Sequence, residues 1–188
     1  MDHSFNSDAR RQWVHPRHLE VWSRYPLREA PAGDRLHYQE AIPHLKRFTR
    51  RAQERGVTVA LGTDTPFPHL TPGFSVHDEL SLYVDAGTPP VEALRSATSL
   101  NARVLGLESQ IGRIASGLVA DLVAVRGNPL ERIDDVSAVV AVMHRGYLLD
   151  RKTLFAAASA SFSTELDDAI TRDLLERIEA PPPNSLHA

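Results

Sequence analysis

The chain has 188 residues, of which 42% are hydrophobic and 24% charged, and its net charge is −3. These are the proportions of an ordinary globular protein, and the near-neutral charge excludes a general attraction to nucleic acid or anionic membranes. Cysteine is absent, which excludes disulfides and thiolate zinc sites and leaves the redox compartment open.

The first residues, Met1-Asp2-His3-Ser4-Phe5-Asn6, lack the apolar core of a signal peptide. No run approaches the roughly 18 apolar residues of a membrane span, so a soluble, cytoplasmic protein is expected. Ser7-Asp8 is placed to cap a helix carrying Trp13 and Val14. Pro16 is placed to open another, carrying Leu19 and Trp22. Pro26, Pro31 and Gly33 then mark loop. His15 and His18 straddle that first proline as an HxxH pair. A metal pair wants both rings on one helix face with a carboxylate beside them, so the structural reading of these two is preferred.

Residues 40–55 predict a helix. Ile42, Leu45, Phe48 and Ala52 recur at helical spacing as one apolar face. Pro43 falls near the expected start, and Gly56 is placed to end the helix. Lys46, Arg47, Arg50, Arg51 and Arg55 occupy the other face, as on a solvated helix surface.

Val57-Thr58-Val59-Ala60-Leu61 is a short apolar, β-branched run and predicts a strand buried on both faces. Gly62-Thr63-Asp64 follows at its C-terminal end, and Pro66 turns the chain. Two roles stand open for Asp64. It caps the next turn, or it is a catalytic carboxylate at the tip of a parallel strand, where α/β folds place such groups. Residues 65–73 hold three prolines and a glycine, a loop of restricted backbone suited to the rim of a site. Thr65, His69 and His77 are the pocket candidates nearest Asp64, with a surface or supporting role the alternative for either histidine.

Ser75, with Asp78 three residues on, has the pattern of a capping box; Leu80, Tyr83 and Val84 form the buried face behind it, and Gly87 closes the helix. Thr88-Pro89 predicts a second helix, buried through Val91 and Leu94, and Ser99 a third, stopped by Gly106. From residue 111 the period changes to strands, expected at 111–114, 122–125 and 139–145, with Arg145-Gly146 as the tip of a hairpin into Tyr147-Leu148-Leu149. Asp121 is expected to serve by structural hydrogen bonding. Asp150 is placed to cap a helix through 154–158. A second helix follows on Leu166, Ala169, Ile170, Leu174 and Ile178, and then a loose proline-rich tail.

The ordered succession Gly62-Thr63-Asp64, His77-Asp78-Glu79-Leu80, Asp85-Ala86-Gly87-Thr88-Pro89, Ala97-Thr98-Ser99-Leu100-Asn101-Ala102, Gly117-Leu118-Val119-Ala120-Asp121-Leu122-Val123 and Gly127-Asn128-Pro129-Leu130 resembles the C-terminal part of the metal-dependent amidohydrolase superfamily, in its imidazolonepropionase-like and prolidase-like branch. The resemblance spans about residues 40–149. It implies an α/β fold, the end of a (β/α)₈ TIM barrel with part of a composite β-sandwich. The division it suggests is barrel at 1–108, with the strand 57–61 and helices; partial sandwich at 109–150; C-terminal helices at 151–180; and a flexible tail at 181–188.

Such a barrel takes about 250 residues and each βα unit about 30, so only about three units fit before residue 108 and the barrel is expected to be incomplete. The resemblance assigns Asp64 to the eighth-strand aspartate, which binds metal and handles the proton of the attacking water. It implies a divalent metal, zinc first, in a completed enzyme and none bound by this chain alone. The family's HxH pair and its other ligands match nothing in this sequence. The activity implied is hydrolysis of a carbon–nitrogen bond in an amide, cyclic amide or dipeptide. The partner implied is a chain supplying the N-terminal barrel strands. A non-catalytic remnant or interaction module is the alternative.

Overall fold

The computed structural model describes residues 9–23, 32–65 and 67–160. A 3₁₀ turn at Ala9–Trp13 leads into α1 (Pro16–Ser23), and α2 (Ala32–Glu54) follows. Then come α3 (Ser75–Asp85), α4 (Pro90–Ala97) and α5 (Ser99–Val104). Next are β1 (Leu122–Val125), a 3₁₀ turn at Ile133–Ser137, β2 (Val139–His144) and β3 (Tyr147–Leu149), and α6 (Arg151–Ala160) completes the order. The second C-terminal helix and the tail expected from the sequence lie outside the described residues.

α2 begins earlier than its apolar spacing indicated, and Gly33 is inside it rather than in a loop. Pro43 is consequently mid-helix, where it has no N–H to give to the carbonyl four residues back. Gly56 does end the helix. It adopts φ 77°, its N–H bonds to the Gln53 carbonyl at 2.9 Å, and the next N–H, of Val57, reaches back to Ala52 at 2.9 Å. That pair of bonds satisfies the last helical carbonyls, and a left-handed residue is needed to make it.

The expected strand at 57–61 is not one: among the described residues it has no ladder partner. Nor is it buried on both faces. Val57 is 56% exposed, and burial rises along the run until Leu61 is 9% exposed. β-Branched residues favour a strand only where neighbours cover them, and here cover comes from helices at one end of the run alone. The run expected as a strand at 111–114 is bends and coil. Gly112 has φ 97° there, and a Cβ on it would stand 2.5 Å from the Ala102 Cβ, so the chain presses on α5 instead of pairing.

The core lies under the end of that run. Leu61, Leu80, Tyr83, Ala93, Ile133 and Val136 form one buried cluster, joined by Val59, Val76, Val84, Leu94 and Ala97. It gathers α3, α4 and the 3₁₀ turn at Ile133–Ser137 around Leu61. A fully buried Leu contributes about 1.5–3 kcal/mol, so the last apolar residue before Asp64 is firmly seated. α4 turns Ala93 and Ser96 inward, at 0% and 2% exposure, and leaves the expected core residue Val91 at 37%.

The cap positions also differ from expectation. Phe74, Pro89 and Thr98 occupy the N-caps of α3, α4 and α5, none with a side-chain cap bond. Ser75 is buried, and the Thr88 hydroxyl bonds the Gln53 side chain at 2.6 Å, tying α2 to the α3–α4 connection. Asp150 does cap α6: its Oδ2 accepts from the Thr153 N–H and hydroxyl, both at 2.9 Å.

The sheet is a three-stranded antiparallel meander in the order β1-β2-β3. Its second turn is the expected hairpin, with Arg145 at φ 49° and Gly146 at φ 85°. Two successive left-handed residues match the twist of the flanking strands. Asp121 pins this turn from the side: its Oδ1 accepts the Arg145 N–H at 2.7 Å and lies 3.0 Å from His144 Nδ1. Its role is the structural one expected.

Candidate active site

Asp64 stands three residues beyond the buried Leu61 and is itself exposed. It adopts φ 57°, the left-handed region, which Asp tolerates better than most residues because its short side chain bonds locally. Its carbonyl accepts the Phe67 N–H at 2.9 Å, closing a tight turn. Thr63 Oγ1 and Thr65 Oγ1 are 3.2 Å apart, so two hydroxyls flank the carboxylate-bearing residue in sequence and meet in space. Thr65 is half-buried. An exposed carboxylate on a seated base is available to water and to a ligand, which a buried one is not.

The loop beyond is a run of consecutive turns. Leu70 N–H bonds to the Phe67 carbonyl at 3.0 Å, and the Phe74 and Ser75 N–H groups bond to the Thr71 carbonyl at 3.2 and 2.9 Å. Thr71 is 2% exposed and anchors the loop from inside, whereas Phe67 is 61% exposed. His69, at φ 70°, is half-buried with its Nδ1 sealed from solvent. Its ring centroid lies 6.0 Å from that of Trp22, which is 2% exposed. The N-terminal segment thus packs against the loop that follows Asp64. Arg10 fastens the same segment to Asp78 of α3, at 2.6 Å between Nη1 and Oδ2.

His77 is half-buried on the first turn of α3. Burial lowers its pKa, and the neighbouring Asp78 carboxylate offsets this in part. Burial raises the pKa of Glu79 beside it. Tyr83 is raised as well, by burial first and then by Glu79, and its hydroxyl donates to the Ala60 carbonyl at 3.0 Å.

Asp64, Thr65, His69 and His77 therefore belong to one loop and the helix it enters. They do not converge as a ligand set: among the described residues, no three His, Asp or Glu side chains are grouped to hold a metal ion. His15 and His18, 6.2 Å apart and nearly perpendicular, meet no third ligand among those residues. Zinc sites use three or four protein ligands, so the described residues do not fit a metal by themselves. Three contributors to the site escaped the sequence reading. Asn101 Nδ2 bonds to the Leu61 carbonyl at 2.9 Å, Tyr83 bonds to Ala60, and Trp22 packs on His69. Asn101 stood in the motif that carried the resemblance, but nothing in its spacing tied it to a carbonyl forty residues earlier.

Comparison with known proteins gives a consistent picture. The model of the Amidohydrolase family matches residues 39–149. Ochratoxinase from Aspergillus niger is 37% identical over 106 residues, covering 55% of this chain and 21% of that protein. Imidazolonepropionase from Rubrobacter xylanophilus is 38% identical over 78 residues, 39% of this chain and 18% of that one. A crystal structure of a Xaa-Pro dipeptidase with methionine in its active site superposes with a TM-score of 0.51 at 35% identity, over 57% of this chain and 26% of that chain. The chain thus spans about a fifth to a quarter of the length of the proteins it matches.

Proposed function

The chain belongs to the Amidohydrolase family, and from that membership we propose that it is the C-terminal portion of a metal-dependent hydrolase acting on a carbon–nitrogen bond, in an amide, a cyclic amide or a dipeptide. The observation that carries this reading is the placement of Asp64, exposed and in a left-handed turn three residues after the buried Leu61. In this reading residues 57–61, which have no ladder partner among the described residues, become the last strand of a (β/α)₈ barrel when the neighbouring barrel strands pair with them, and α2 to α5 are helices of its outer ring. The three-stranded sheet is this chain's share of a composite sandwich. The remaining barrel strands and the other metal ligands come from outside the described residues, in the same protein or from a partner chain.

The chemistry of this chain's own residues is that of a general base and acid. The Asp64 carboxylate takes the proton of the attacking water and returns it to the leaving amine as the bond to carbon breaks. Thr65 and the loop carrying Phe67 and His69 border the substrate. Asp64, with ligands from outside the described residues, would hold a divalent metal, zinc the leading candidate, which would supply activated water at neutral pH.

The test is metal content and amide hydrolysis, measured on the chain alone and on its complete assembly. The chain alone is expected to hold no stoichiometric zinc and to be inactive; one tightly held zinc per chain would remove the incomplete-site reading. In the assembly, Asp64→Asn is expected to abolish turnover while leaving the melting temperature unchanged, because Asn tolerates the left-handed conformation as Asp does. Hydrolysis retained in that variant would remove Asp64 from the mechanism.

A further inference from the structure

Between Leu61 and Asp64 the chain has almost nothing of its own to hold it. No ladder runs along 57–61, and among the described residues Gly62 and Thr63 make no backbone hydrogen bond. Asp64 is nevertheless in the left-handed region. A non-glycine residue persists there only when its surroundings over-determine it. Downstream, the bond from the Phe67 N–H to the Asp64 carbonyl fixes one side of the residue. Upstream, three contacts converge on two residues. The Leu61 N–H reaches the Ser96 carbonyl at 3.3 Å, the Asn101 amide donates to the Leu61 carbonyl at 2.9 Å, and the Tyr83 hydroxyl donates to the Ala60 carbonyl at 3.0 Å. The bond to the Ser96 carbonyl is long, and Tyr83 acts one residue further back. Asn101 makes the contact closest along the chain to Asp64, on a carbonyl of a residue seated in the core.

We propose that Asn101 is a positioning residue for Asp64: its side-chain amide, by holding the Leu61 carbonyl, fixes the point from which Gly62 and Thr63 lead to the carboxylate and so sets where that carboxylate stands. Tyr83 is the secondary anchor. The consequence for catalysis rests on the hydrolase reading above; the anchoring itself does not. α5 reaches this place because Gly106 stops it after Val104 and because the chain at Gly112 packs against Ala102 on the same helix. The helix that carries Asn101 is thus held by a close contact at the residue next to it.

The experiment is amide exchange in the full chain, read at Leu61 and Phe67, whose N–H groups report on the two ends of the anchored stretch. The amides of 139–149 serve as the internal control. Asn101→Asp keeps the side-chain shape and, ionised, cannot donate; Asn101→Ala removes donor and volume together. Both are expected to speed exchange at Leu61 and Phe67 about fivefold, with the control amides unchanged. Tyr83→Phe, which keeps the ring in the core, is expected to speed Leu61 alone. Wild-type rates at Leu61 and Phe67 in Asn101→Asp would overturn the proposal, since the side chain would then only fill space. Equal acceleration at every amide would overturn it too.

In the assembled protein, Asn101→Asp is expected to lower kcat with KM unchanged. Released amides in Asn101→Asp, together with no amide hydrolysis by the wild-type assembly, would keep the anchor and remove the hydrolase reading. Hydrolysis by the wild type with unaltered exchange and kcat in the variant would do the reverse.

Discussion

Glu79 shows how the environment of a single side chain on α3 turns into a dependence on pH. Burial raises its carboxyl pKa in the folded chain. A raised folded pKa means the folded state holds the proton more tightly than the unfolded state, so this contribution to stability is present at low pH and is lost as pH rises through the folded pKa. Glu79→Gln keeps the volume and removes the charge. It is expected to raise the urea midpoint at about pH 7 and to make no difference at about pH 3.5, below the ordinary carboxylate range. His77, two residues earlier, has the opposite sign. Its lowered pKa places stability above the ordinary histidine range, to be lost as pH falls. At this scale the sequence was only half informative. Asp64 could be singled out because an acidic residue after an apolar run is visible in one dimension. Asn101 could not, because its meaning is a bond to a carbonyl that only the fold brings near. The same holds for Trp22, whose burial against His69 depends on how the N-terminal segment folds back.

The element that best shows turn chemistry being legible is the β2–β3 hairpin, where Arg145-Gly146 was recognisable from its flanking apolar runs and the structure supplies two left-handed residues in succession. The 3₁₀ turn at Ile133–Ser137 was invisible to the same reasoning, because its signal is not periodic. It is held by Asp135, 9% exposed, whose carboxyl accepts the Asn128 N–H at 2.9 Å and the Arg132 Nε at 2.6 Å. Those two contacts, the first the larger, hold its pKa below the usual carboxylate range. Gly127 makes this possible. It sits at φ 97°, and a Cβ there would stand 2.2 Å from Asp135 Oδ2. Gly127→Ala is therefore expected to break the Asp135 bonds and to destabilise the fold by about 2–3 kcal/mol in a denaturant titration, from left-handed strain together with a displaced buried carboxylate. A change below about 0.5 kcal/mol would mean that the loop has room to move. The helix caps differ from their sequence pattern for a related reason. Ser75, Thr88 and Ser99 have the right chemistry at the right spacing, but at Ser75 burial, and at Thr88 a bond to Gln53, won over the helix terminus.

Across the whole molecule, apolar surface is divided unequally. The family was legible because its motifs, marked by Gly, Pro and Asp, follow one another in a recognisable order along this stretch; which apolar faces are covered was not, because periodicity marks a face without saying what meets it. α2 makes the point. Ile42, Leu45 and Phe48 were expected as its apolar face, and they are 48%, 61% and 73% exposed, while Val57 just beyond is 56% exposed. The covered cluster is elsewhere, with Leu80 at 4% exposure in its middle. The two sites give opposite expectations under the same substitution. Leu80→Ala should cost about 2–5 kcal/mol, since it removes packed atoms and leaves a cavity among Leu61, Tyr83 and Val136. Phe48→Ala should change stability by less than about 0.5 kcal/mol, since water already reaches most of that ring. Both are measured as denaturant midpoints on the chain alone at several protein concentrations. A loss of several kcal/mol at Phe48 that shrinks as the protein is diluted would show that α2 is covered in solution by another molecule, because only an association loses cover on dilution. A small, concentration-independent change would show that the end of the 57–61 run and the helices beneath it stand as a folded unit without that face.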